Sequence, residues 1–162
     1  MGRLADRLDD IRVRVRVPGT EIEAELRDRT NVTISFGESV YEFLDERGLE
    51  RSLAGLARLL YAAWLRQYRA AIEESTLDIT PHDQRDYDFL DARSEIGSSG
   101  ASGDGRIRFS AVGMQDITVE IVPGTVRELT EDQFARQTKE AVTILIQDHM
   151  AKVRDLRIRF YA

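Results

Sequence analysis

His82 and His149 are the chain's two histidines, each with aspartate beside it: His82 adjoins Asp83 and lies near Asp86, and His149 follows Asp148. A zinc site needs three or four converging ligands, and the HExxH type sets two histidines one helical turn apart. Neither pattern occurs, so both histidines read as polar helix residues and no metal is expected. Late in its helix, His149 is expected to be favoured when protonated, because the carbonyl end of a helix attracts positive charge. No serine sits in a GxSxG elbow. The glycines of GSSGASGDG, residues 97–105, match neither a phosphate-cradling loop nor a GxGxxG turn. The acidic run DYDFLD lacks the spacing, central glycine and terminal glutamate of a calcium loop. The residues therefore point away from an enzyme, with no catalytic group and no cofactor.

What remains is basic or apolar. Arg106, Arg108, Arg157 and Arg159 lie on segments read below as strands, with no glutamate expected opposite them. On neighbouring strands their four guanidinium groups would share one face, suited to phosphates or to an acidic protein surface. Trp64, Tyr68, Ile146 and Met150 are the surplus apolar residues of two long helices and are the expected interface.

With 23 basic and 29 acidic residues the formal charge is −6, so a nucleic-acid site would have to be a local patch. The absence of cysteine excludes disulfides, thiolate nucleophiles and sulfur-ligated metals. The N-terminus lacks an apolar signal region, and no stretch reaches the roughly 18 apolar residues of a membrane span. A soluble, cytoplasmic protein without a membrane partner is expected.

An internal repeat positions these residues. Adding 85 carries Ile22 to Ile107, Val32 to Ile117, Phe36 to Ile121, Leu44 to Leu129, Leu49 to Phe134 and Leu60 to Leu145. Two halves follow, 1–76 and 77–162, expected to share one core. The first reads as a short helix over 3–10, then a hairpin from RVRVRV to EIEAE through a two-residue Pro18-Gly19 turn. That loop pairs Arg16 with Glu21, Arg14 with Glu23 and Arg12 with Glu25 on a salt-bridged solvent face. The strand NVTISF follows. Ser39 to Glu42 has capping-box spacing for a short helix ending near Gly48, and a long helix runs from Leu49 to Glu74.

In the second half Thr80 and Pro81 have the pattern of a helix start. GSSGASGDG is then expected to be a flexible loop where the first half has its RVRVRV strand. Two strands follow, and Thr130 to Gln133 form a capping box for a helix to about Arg154. The alternation in LRIRFYA suggests a C-terminal strand. The fold class expected is α+β, a pseudo-two-fold tandem of antiparallel strands each followed by a long helix.

From Gly105 through Ile107, Val119, Ile121, Pro123, Leu129, Gln133, Ala141 and Val142 the second half resembles the YbaB/EbfC family of bacterial nucleoid-associated proteins. It is also similar to segments of type VII secretion-associated proteins of the EspD/EspH kind. The resemblance implies sheets backed by helices and a dimer paired through them, of which a duplicated chain would be a single-chain version; a homodimer is the other arrangement it allows. It implies DNA as one class of partner and, on the secretion side, a protein partner for an adaptor or chaperone. The lysine-bearing turn of the DNA-binding members is replaced here by AVGMQD, so no residue carries over as a DNA contact.

Overall fold

Strict alternation of Ile22, Ala24 and Leu26 with Glu23 and Glu25 gives a strand one face to bury and one to leave in water. A computed structural model, describing residues 2–75 and 77–162, places this strand at the centre of the first of two three-stranded antiparallel sheets. In chain order the elements are α1 (Gly2–Asp9), β1 (Val13–Arg16), β2 (Ile22–Arg27), β3 (Asn31–Phe36), a 3-10 turn (Tyr41–Phe43), α2 (Glu46–Glu73), α3 (Gln84–Ser94), β4 (Gly97–Ala101), β5 (Ile107–Val112), β6 (Asp116–Ile121), a short α4 (Thr125–Glu128) and α5 (Glu131–Tyr161). The sheets are ordered β1-β2-β3 and β4-β5-β6. The mixed α+β class follows.

Each long helix serves both sheets. α2 packs on β1 and β2 and reaches β6, while α5 packs on β4 and β5 and reaches β3. One cluster of buried side chains runs through both halves, from Ile22, Leu49 and Leu53 to Ile107, Phe109, Phe134 and Leu145. The repeat interval of 85 maps every strand onto its counterpart: shifted by that interval, β1 falls on 98–101, β2 on 107–112 and β3 on 116–121. Backbone bonds match too, since Gly37 N–H donates to Glu21 O and Val122 N–H donates to Arg106 O, both pairs being 85 residues apart.

Five sequence expectations are corrected. The segment 97–105 is not all flexible loop, because 97–101 form β4. Its composition has a steric cause: a Cβ on Gly100 would lie 2.2 Å from the Ala141 carbonyl oxygen and 2.4 Å from the Leu145 nitrogen. α5 therefore presses its backbone directly on the strand, and only a residue without a side chain fits beneath it.

The first hairpin turns through four residues rather than two, closed where Val17 N–H donates to Ile22 O. Arg14 consequently faces Glu25, and Arg16 faces Glu23. A shift of two leaves every side chain on its expected face, because two is the period of a strand.

The C-terminal segment is the end of α5, not a strand. Leu156 is buried and Phe160 half-buried, four apart on one helical face, whereas Ile158 is 57% exposed. Phe160 and Tyr161 close edge-on upon Phe89 of α3, with ring centroids 5.8 and 5.5 Å away.

Ser39 caps nothing and has a φ of 62°. Asp45 caps α2 instead, accepting from Gly48 N–H at 2.7 Å, which puts Gly48 inside the first turn. Asp83 rather than Thr80 caps α3, accepting from Asp86 N–H. The Thr130–Gln133 capping box forms as expected.

The halves are joined by bonds that the repeat does not reciprocate. Tyr41 donates its hydroxyl to Val126 O at 3.2 Å and Leu129 O at 3.0 Å. Burial, with the Glu46 and Glu131 charges adding to it, pushes this phenol up to about 12, so it remains a donor across the working range. Glu46 accepts from Gly124 N–H and Glu50 from Ile121 N–H, each at 2.8 Å.

Candidate binding surfaces

The four arginines do not form one face. Arg106 is ion-paired to Glu128 at 2.5 Å and to Asp104 at 3.6 Å. Arg108, on β5, lies directly opposite Glu120. The expectation that no acid would face these two is therefore corrected, and so is the placement of Arg157 and Arg159, which ride on α5. The Arg157 guanidinium sits 5.5 Å from the centre of the Phe89 ring, a cation–π geometry. Arg159 is exposed in the last turn of α5. With two of the four moved from strand to helix, the shared basic face has no sheet to stand on.

The apolar candidates occupy two helices. On α2, Trp64 stacks between Tyr61 and Tyr68, with centroids 6.4 and 5.1 Å apart, and all three are half-buried. On α5, Ile146 is half-buried against the core and Met150 is 43% exposed. α2 and α5 make no extended contact with each other, so these residues form two patches rather than one interface.

By the repeat, Trp64 corresponds to His149. This histidine is half-buried, and its Nδ1 has no hydrogen-bond partner among the described residues. α5 runs on to Tyr161, so the expected helix-end stabilisation of the imidazolium does not operate. Burial, reinforced by the Arg93 charge and opposed by Asp148, holds its pKa below the ordinary value. The unfolded chain then takes up the proton first. Stability from this group is full above about pH 6.5 and is lost as pH falls through the ordinary histidine range. His149→Gln is expected to flatten the fall in melting temperature between about pH 7 and pH 5. Carboxylates held low, such as Asp148 bonded by Ser99 N–H and Lys152, act only at more acid pH.

A third surface lies at the outer edge of β1, where sequence reading indicated only a solvated ribbon. A cleft of about 320 Å³ opens there between β1 and α2, lined by Arg12, Arg14, Ala63, Arg66, Gln67 and Ala70. Arg12 and Arg14 share Glu25 at 3.0 and 2.9 Å, and their hydrogen bonds hold its carboxyl below the usual range. Arg66 has no ion pair among the described residues. Gln67 Nε2 donates to Arg12 O at 3.2 Å, which ties the helix to the strand edge.

The corresponding edge in the second half carries an acceptor of its own. Lys152 Nζ donates to Gly97 O at 2.7 Å, and Asp148 accepts from Ser99 N–H at 3.0 Å and from Lys152 at 3.0 Å. The signal in the sequence was the repeat itself: Asp148 and Lys152 stand where the first half has Ala63 and Gln67. Among the described residues, no group of three or more metal-ligating side chains occurs, and no helix is long and apolar enough to cross a membrane. No protein-family model matches the chain, and no characterised protein or solved structure matches it either.

Proposed function

We propose that this protein is a non-catalytic protein-binding module, an adaptor or chaperone built as a single-chain YbaB-like pseudo-dimer, rather than a nucleoid DNA-binding protein. The observation that carries this reading is the stacked, half-buried column of Tyr61, Trp64 and Tyr68 at the surface of α2. Aromatic residues and arginine are the side chains that concentrate binding energy in protein interfaces. The DNA reading rests on four arginines, of which Arg106 is ion-paired, Arg108 faces Glu120 and Arg157 lies against an aromatic ring, in a chain of net charge −6. Duplex binding depends on several phosphates being neutralised together.

Two measurements on the full chain separate the readings. Affinity capture from a nuclease-treated extract of the source organism is expected to recover a defined protein, and Trp64→Ala, shown folded by circular dichroism, is expected to lose it. A duplex mobility shift at low salt that fades steeply with added salt, with no protein captured, would reverse the assignment.

A further inference from the structure

The fold builds one free strand edge twice and supplies it with an internal carboxylate once. In the second half the Asp148 carboxylate closes the edge of β4 by accepting from Ser99 N–H. Subtracting 85 turns Asp148 into Ala63 and Ser99 into Arg14. The first half thus keeps the donor and lacks the acceptor. The hairpin register shows that this donor points outward: Val17 and Ile22 are a hydrogen-bonded pair, so alternation makes Val15–Ala24 and Val13–Leu26 the next ones. The backbone groups of Arg14 and Arg16 are left at the free edge.

The space is also there. Gly100, which lets α5 press on β4, corresponds to Val15. A helix at the α5 distance would put the Val15 Cβ about 2.2 Å from a backbone oxygen, so α2 must stand further off. The resulting cleft has Arg12, Arg14 and Arg66 in its lining and no acidic residue.

We propose that this cleft binds an aspartate or glutamate side chain carried on an extended segment of a protein partner. The carboxylate would accept from Arg14 N–H as Asp148 does from Ser99, and pair with the Arg66 guanidinium. The partner's backbone would add to the edge of β1 beside Arg14 and Arg16. This rests on the protein-binding reading and names the chemistry of the partner.

The test follows the amide signals of the full chain by two-dimensional NMR during titration with a blocked peptide of alternating valine and aspartate. Arg14 N–H and the Gln67 side-chain amide are expected to shift and saturate. The peptide with asparagine in place of aspartate should bind about tenfold more weakly or worse, since a charge-assisted contact is lost. Ala63→Asp supplies the missing carboxylate from within and should abolish the response; should it not fold, exposed Arg66→Gln provides a second arm and should weaken binding. Equal responses to both peptides, binding undiminished in Ala63→Asp or, failing that, in Arg66→Gln, no shift at Arg14, or the same shifts with inorganic phosphate would each overturn the proposal. Such a failure leaves capture through Trp64 standing, whereas loss of capture with peptide binding intact rejects only the wider reading.

Discussion

Gly100→Val is expected to lower the stability of the protein by about 3 kcal/mol or more, a fall of about 6–12 °C in melting temperature for a chain of this size. Gly100 is buried, and the atoms its Cβ would strike, Ala141 O and Leu145 N, belong to the backbone of α5. Backbone cannot rotate aside as a side-chain tip can. Either α5 moves off β4, giving up the Asp148–Ser99 and Lys152–Gly97 bonds, or β4 leaves the sheet. Gly97→Ala is the control, since a Cβ there meets nothing within 4 Å. A melting temperature for Gly100→Val within a degree or two of the parent would refute the close approach of helix and strand.

Phe134→Ala is expected to cost about 3–5 kcal/mol, the range for deleting a fully buried aromatic ring. Phe134 is 0% exposed in the first turns of α5 and meets Tyr41 and Phe36 of the other half at 5.6 and 6.3 Å between centroids. Its repeat counterpart, Leu49, is equally buried on α2. The two substitutions should differ in character. Leu49→Ala leaves a cavity under α2, whereas Phe134→Ala also removes the ring on which Tyr41 and Phe36 close. Phe134→Ala should thus broaden as well as lower the urea transition, through partial uncoupling of the halves. A small loss with an unchanged slope would place the junction elsewhere.

The strands whose faces differ in polarity were legible, and so was the repeat, because burial imposes a period of two on β2, β5 and β6 regardless of tertiary detail. β4 was not. Its side chains are missing where α5 needs the room, so it carries no alternation and has the composition of a linker. The hairpin register was two residues out because Pro18-Gly19 has the chemistry of a tight turn, although the chain closes only at Val17 and Ile22. The C-terminal residues alternate by accident: Phe160 and Tyr161 answer to Phe89, and no local pattern announces a partner some 70 residues away. That error placed Arg157 and Arg159 on a strand and with them the expected basic face. The β1 cleft was hidden for a different reason. It is defined by a carboxylate that Ala63 does not supply, and an absence is visible only against the half that has it.

The Tyr41 hydroxyl ends on the carbonyls of Val126 and Leu129, and Val126 is the residue that occupies Tyr41's own place in the repeat. Two copies of the first half brought together in the same way would set tyrosine against tyrosine, and two copies of the second would leave those carbonyls unanswered. Glu50 deepens the mismatch, since its counterpart Ala135 has nothing to offer a strand end. The peptide connection is therefore more than a tether between interchangeable subunits. The two halves are not interchangeable, since each offers groups at the junction that a second copy of itself would not satisfy.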